Sequence, residues 1–286
     1  MNVPSRLVHA VLLPVGRLLS QLRLHDITIV SENSRPFVVK RRRRLASLTI
    51  RLANLCLRWE HVRVRVLSDR DWKQREIAMA MLMKGEPPRI GPRGELLLPH
   101  RAGRPLSEWL AETELSIETK CRFVTAAARA LAELHDLHDP ATGRAVSHGD
   151  GTARNVLVDP ADEAGTAAWI DFDTAHIDSA EEDWRLADDL RALLCSAAAA
   201  LPPETYGELF RAVADGYGQR ESWERLANHL ERMRLRPTLF HLAQAPLDWR
   251  RLSRLVDELA RTVDRTAAEG AANVAGTTED RRVTSR

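Results

Sequence analysis

Only one glycine, Gly16, precedes Lys40. A glycine-rich turn that cradles an anion on its backbone amides is therefore missing from that stretch. Lysine is scarce too: Lys40, Lys73, Lys84 and Lys120 are the only four, in a chain that draws its positive charge from arginine. Cysteine is limited to Cys56, Cys121 and Cys195. They are far apart and form no CxxC or Cys/His cluster, so they read as reduced, buried thiols of a cytosolic protein and not as a zinc site. No apolar run approaches the roughly 20 residues that span a bilayer. Val8 to Leu24 is broken by Pro14, Arg17 and Arg23 and has no small-residue cleavage site. It reads as a helix packed on the body, or docked weakly on a surface, and not as a signal peptide. Charge of one sign is lacking as well: Lys plus Arg is 42 against 40 for Asp plus Glu, a formal net charge of +2. That balance argues against a nucleic-acid partner.

What is present suits a real core, because 44% of the 286 residues are hydrophobic. Ile27–Val30 and Phe37–Lys40 read as two strands, joined by a turn longer than the tightest hairpins and carrying Pro36. Arg41 to Arg44 follow. Leu45, Leu48, Leu52, Leu55 and Trp59 then recur at three-and-four spacing, one face of a helix, with Arg44, Arg51 and Arg58 along its flank. The simpler expectation packs that apolar seam on the small lobe with arginines toward water. The other lays the basic helix on anionic lipid or a phosphorylated substrate. Val62–Val66 is a strand or a helical continuation. Asp69 or Asp71 is expected to cap a helix from about Trp72 to Met83. Leu96–Pro99 is a short buried strand, and His100–Pro105 a linker rich in turn formers. A helix is expected from about Glu118 to His135, with Ala127 and Ala128 small enough for another helix to approach. His135 and His138 end it, where positive character is favourable. NVLV and AWIDF are short apolar runs typical of buried strands, and Asp183 to Ala260 is helical again. The tail from Thr266 is polar and expected to be disordered.

The chemistry lies in HGDGTARN, His148 to Asn155, and in IDFD, Ile170 to Asp173. Asp150 sits in a loop, Asn155 opens the next strand and Asp171 ends the partner strand, so three oxygen-bearing side chains can converge at one end of a ribbon. Phosphoryl transfer needs such a set: a carboxylate to orient the attacking hydroxyl and accept its proton, and hard oxygen ligands for Mg²⁺ on nucleotide phosphates.

H-G-D-x4-N followed by I-D-F-D resembles the catalytic and metal-binding loops of the protein-kinase-like superfamily. The glycine after His148, and IDFD, resemble aminoglycoside and choline kinases and the lipopolysaccharide core-sugar (Kdo/heptose) kinases. The resemblance covers about residues 24–260. It implies Asp150 as catalytic base, Asn155 and Asp171 as metal ligands, and His148 as a brace of the catalytic loop. It implies a small-lobe lysine that holds the nucleotide phosphates, paired with a helix carboxylate. Lys40 fits the first role. Glu76 fits the second, with Glu60 as the other candidate. The basic helix, about 41–63, is then an insertion between them. LLLPHRAGRPLSEWL resembles the last small-lobe strand, hinge and first large-lobe helix, so the backbone from Pro99 through Arg101 to Ala102 would hold the adenine edge. Asp183 or Asp188 would bond the catalytic-loop backbone from below, and Asp173 would be a second metal-side carboxylate or a loop support.

The expected fold is α+β and bilobal. It has a helical extension (1–23), a small mixed sheet-and-helix lobe (24–98), a hinge (99–105), a larger mainly helical lobe (106–262) and a tail (263–286). The expected activity is ATP- and Mg²⁺-dependent phosphorylation of a hydroxyl on a small molecule, sugar or lipopolysaccharide-type acceptor. No APE-type segment follows Asp173, and little room is left for a long activation loop. The alternatives are an atypical serine/threonine protein kinase, or a pseudokinase acting as a binding scaffold. The expected place is the cytoplasm, with optional contact to the inner face of the membrane through the basic helix.

Overall fold

The computed structural model of the chain describes residues 10, 12–15, 24–161, 165–218 and 221–262. Most of the expected helical extension, and the whole of the expected tail, lie outside these residues. Leu12 and Leu13, which are described, pack against the large hydrophobic core.

The small lobe is a four-stranded antiparallel sheet in which β1 (His25–Glu32) lies next to β2 (Arg35–Arg42), then β5 (Leu96–Pro99), then β4 (Arg89–Ile90). Strand β1 (His25–Glu32) pairs along its length with β2 (Arg35–Arg42). The turn between them is shorter than the sequence suggested. Asn33 and Ser34 close it alone, both at positive φ (51° and 63°). Asn tolerates that left-handed conformation, so the pair does what glycine usually does in the tightest hairpins. Pro36 lies inside β2, opposite Ser31.

Helix α1 (Ala46–Trp59) and strand β3 (Val64–Val66) follow. The seam of α1 does not pack on the lobe. Its buried face carries Ala46, Ile50 and Leu57, while Leu45, Leu48, Leu52, Leu55 and Trp59 face outward. Asn54 explains the choice of face. Its amide donates to the Val66 carbonyl at 2.9 Å and its carbonyl accepts from the Val66 amide at 2.8 Å, which pins that side to β3. Cys56 is exposed in consequence, Cys121 is half-buried and Cys195 is buried.

Helix α2 (Asp69–Leu82) is capped by neither expected aspartate. Ser68 Oγ accepts from the Asp71 amide at 3.2 Å. The helix turns Trp72, Glu76, Met79 and Ala80 inward, the spacing of one helical face. Trp72 forms a small core with Leu67, Leu96 and Ala175. Strands β4 (Arg89–Ile90) and β5 (Leu96–Pro99) complete the sheet.

The larger lobe contains β6 (Arg104–Pro105), α3 (Leu106–Ala111), α4 (Ile117–His135), and the hairpin β7 (Val156–Asp159) and β8 (Thr166–Trp169). Then come β9 (Thr174–His176), α5 (Glu182–Ala200), α6 (Tyr206–Tyr217), α7 (Glu221–Leu235), α8 (Leu239–Gln244) and a helix α9 over 249–262. Helices α4 and α6 pack closely where the alanines predicted it. A Cβ on Gly216 would collide with the Thr125 carbonyl and stand 2.9 Å from Ala128 Cβ. One extended core runs through these helices and under the β7–β8 hairpin. Strand β9 leaves that lobe to pair with β3 of the small lobe, Val64 opposite His176 and Val66 opposite Thr174.

Candidate active site

The cleft between sheet and hairpin holds a cavity of about 890 Å³. Lys40 enters it from β2. Its ammonium donates to Glu76 Oε1 at 2.8 Å and to Asp171 Oδ1 at 2.9 Å, and the residue is 4% exposed. The sequence-predicted pair Lys40 and Glu76 therefore meets across 36 positions of chain, with α1 inserted between. Trp72 Nε1 steadies the same Glu76 oxygen at 3.3 Å. Burial works against the charge on Lys40, but Asp171 and Glu76 outweigh it and raise its pKa. Asp171 shows the mirror effect: burial opposes its charge, and the Lys40 ammonium holds it below the ordinary carboxylate range. The other carboxylate candidate, Glu60, is elsewhere. It accepts from the Leu239 amide at 2.8 Å.

Asp171 is not the end of a strand. Strand β8 stops at Trp169, and Asp171 takes φ +67° in the loop beyond. Such a backbone costs about 1–3 kcal/mol for a residue with a Cβ, and the half-buried ion pair with Lys40 helps hold it there. Asp173 lies nearby. Burial, then the charges of Asp171 and Asp150, push its carboxyl well above the usual range. Among the described residues, donor atoms of His25, Asp171 and Asp173 converge within 4.8 Å. Burial lowers His25 to about 4.

The loop carrying Asp150 is held from several sides. Gly149 takes φ +87°, and a Cβ there would stand 3.0 Å from Ala175 Cα, so the glycine of HGD is required twice over. His148 is fully buried, stacked on Phe172 at 4.5 Å, and its Nε2 bonds the Ile170 carbonyl at 2.9 Å. Its Nδ1 accepts from the Asp150 amide at 3.3 Å, so the proton sits on Nε2. Burial lowers its pKa, in keeping with a neutral ring. His148 thus ties the Asp150 loop to the Asp171 loop.

Neither Asp183 nor Asp188 supports the loop from below. Asp183 pairs with Arg225 at the surface. Asp189 accepts from the His148 amide at 2.5 Å and the Gly149 amide at 2.8 Å. Burial opposes its charge, but the hydrogen bond from His135 and the nearby imidazoles hold its pKa low. His135 is the last residue of α4, as expected, but it does not face solvent. It is buried, bonded to Asp189 at 3.2 Å and to the Tyr217 hydroxyl at 2.7 Å.

Asp150 has two donors. Asn155 Nδ2 gives to its Oδ2 at 2.9 Å and to its backbone carbonyl at 2.8 Å. That leaves the Oδ1 of Asn155 as the atom with which it could meet a metal. The second donor is Gln244, from α8, with Nε2 at 2.7 Å from Asp150 Oδ1. Its amide orientation is fixed, because its Oε1 accepts from Arg191 Nη2 at 2.7 Å and arginine can only donate. Arg191, fully buried, is paired with Asp188 at 2.8 Å, and Asp188 also meets His176 and His229. Sequence reasoning missed Gln244 and Asp189. For Asp189 a signal existed, two adjacent carboxylates on a helix otherwise rich in alanine and leucine. For Gln244 there was none.

Pro99 and Arg101 line the cavity beside Ala102 and Gly103. The His100 amide is taken by the Pro36 carbonyl at 3.1 Å. Pro99 has no N–H, so only its carbonyl can face a ligand.

The lipopolysaccharide kinase (Kdo/WaaP) family matches residues 102–217. That segment carries His148, Asp150, Asn155 and Asp171. Among solved structures, ethanolamine kinase from Plasmodium vivax aligns with a TM-score of 0.40 and 10% identity, over 91% of this chain and 86% of that chain. No curated protein matches.

Proposed function

We propose that this chain is a kinase of the protein-kinase-like superfamily, as its matched segment supports, and that it transfers the γ-phosphoryl group of ATP to a hydroxyl of a sugar or lipid-linked glycan. One observation carries the reading. A buried ammonium, Lys40, is joined to Asp171 at 2.9 Å in the cleft, while His148 links that loop to a carboxylate, Asp150, presented by two donors.

In this reading adenine lies between Ile29, Val38 and Leu98 of the sheet and Leu157 and Ala168 of the hairpin. The Pro99 carbonyl and the backbone at Arg101 meet its polar edge. Lys40 holds the phosphates as a point charge, and Glu76 fixes where that charge sits. No glycine loop helps, so side chains do the work that backbone amides do elsewhere. Asn155 and Asp171 would hold Mg²⁺. The fit rests on their chemistry: both offer hard oxygen atoms, and Asp171 stands near a second carboxylate, Asp173, whose own charge is opposed by burial and then by its acidic neighbours, a cost that a divalent cation would relieve. When bound, the ion neutralises charge on the transferring group.

Asp150 orients the acceptor hydroxyl. The new O–P bond forms as the bond from Pγ to the ADP oxygen breaks. The hydroxyl proton passes to Asp150, and ADP leaves with the electron pair. Between Asp173 and the start of α5 at Glu182 there is only β9 and a short turn, which favours a compact acceptor over a protein bound along a long loop.

The test is thermal shift with MgATP on wild type, Lys40→Ala and Asp171→Ala. A ligand that binds only the folded state stabilises it. Wild type should shift and both variants should not. Phosphorylation of sugars and lipid-linked glycans then identifies the acceptor. No wild-type shift at millimolar MgATP would end the reading.

A further inference from the structure

Helix α1 presents an apolar stripe that no described part of the chain covers. Leu45 is 73% exposed, Leu48 and Leu52 56%, Leu55 64% and Trp59 81%. These five fall on one side of the helix, opposite the packed face of Ala46, Ile50 and Leu57. From Leu45 to Trp59 the stripe is about 21 Å long. Arg44, Arg51 and Arg58 run along its flank, all exposed, and among the described residues none has an ion-pair partner. Between Arg41 and Trp59 there are six arginines and no Asp or Glu.

We propose that this face of α1 is an interfacial helix that lies on an anionic lipid surface. The stripe enters the headgroup and acyl boundary, and the flanking arginines meet lipid phosphates. Charge complementarity selects this occupant. An antiparallel second copy would set Arg51 against Arg51 and Arg44 against Arg58, with no carboxylate on the helix to answer them. An anionic membrane offers a counter-charge at every headgroup, and Trp59 at the end of the stripe has the amphipathic ring that suits that boundary.

The helix also sits where such a surface would be useful. Glu60, directly after α1, accepts from the Leu239 amide at the start of α8, and Gln244 at the end of α8 bonds Asp150. Along α8 those contacts are about 8 Å apart. A lipid-linked acceptor would therefore be anchored on the side from which Asp150 is reached. That consequence rests on the phosphotransfer reading; the surface itself does not.

The experiment is flotation of the full chain with vesicles of phosphatidylcholine alone and of phosphatidylcholine mixed with phosphatidylglycerol. Wild type should float with the anionic vesicles, weakly or not with neutral ones, and less at high salt. Leu48→Glu/Leu52→Glu, and Arg44→Gln/Arg51→Gln/Arg58→Gln, should each lower partitioning about a hundredfold. These side chains are exposed, so circular dichroism melting should match wild type. The MgATP shift, measured alongside, reports the kinase reading separately. The proposal is overturned if wild type does not float with anionic vesicles, or if both variants float as well as wild type. It is equally overturned if the stripe holds a dimer that Leu48→Glu/Leu52→Glu separates without any flotation, or if flotation appears only once residues 1–23 are removed.

Discussion

Gln244→Met tests whether α8 holds the candidate base. Methionine keeps the length and bulk of glutamine but neither donates to Asp150 nor accepts from Arg191. Two contacts of 2.7 Å are lost together. A hydrogen bond to a charged group contributes roughly 1.5–3 kcal/mol. If the bond to Asp150 acts in the transition state, its loss slows turnover by about 10- to 100-fold. On the other side, Arg191 Nη2 is left buried without its acceptor, which costs about 1–3 kcal/mol of stability and lowers the melting temperature by several degrees. The assay needs no acceptor: slow hydrolysis of MgATP, with water as the attacking hydroxyl, reports turnover. Asp150 and Gln244 do not line the cavity proposed for the nucleotide, so the MgATP thermal shift should be unchanged. Wild-type hydrolysis in Gln244→Met would refute the idea that this amide positions Asp150. Loss of the MgATP shift together with turnover would point to general misfolding instead.

Glu76→Leu removes one of two carboxylates from a buried ammonium. Breaking such a pair costs roughly 3–5 kcal/mol, so chemical denaturation should show a large loss and MgATP should no longer shift the melt. Asp189→Asn keeps the shape but loses charge beneath the His148 and Gly149 amides; hydrolysis should fall by about tenfold or more, with nucleotide affinity retained. Stability should fall as pH drops from about 6.5 toward 4. His25 and His241 have folded pKa values lowered by burial to about 4 and about 3, and His148 is lowered for the same reason. The unfolded chain takes up protons there before the native state does, so denaturant midpoints should decline through that window, and a flat profile would contradict neutral, buried imidazoles.

That Lys40, Glu76, His148, Asp150, Asn155 and Asp171 would come together was legible because most of them stand in short patterns with strong local constraint. HGD needs its glycine at positive φ, and IDFD marks the end of a buried hairpin. Glu76 was visible as a charge on a face that otherwise carries Trp72, Met79 and Ala80. What sequence could not supply was the choice between equivalent solutions. Both faces of α1 contain apolar residues, and only the paired bonds of Asn54 with Val66 decide which turns inward. Asp188 and Asp189 are neighbours 100° apart on a helix, so the loop amides meet one and Arg191 the other. Gln244 lies 94 positions from Asp150, beyond the reach of any local pattern.

The pairing of β3 with β9 has a consequence for how ligands bind. The two lobes are sewn together at Val64–Val66 and Thr174–His176, by the Leu67 amide on the Asp173 carbonyl at 2.9 Å, and by Arg75 on the Ser147 carbonyl at 2.5 Å. They cannot swing as free bodies about the linker without breaking several backbone bonds. The entropy of closing the cleft is therefore lost during folding and not each time a ligand enters. A preorganised cleft of this kind needs fewer contacts to reach a given affinity, which is how a roof without glycines, closed by Asn33 and Ser34, would serve the phosphate-bearing ligand proposed for it.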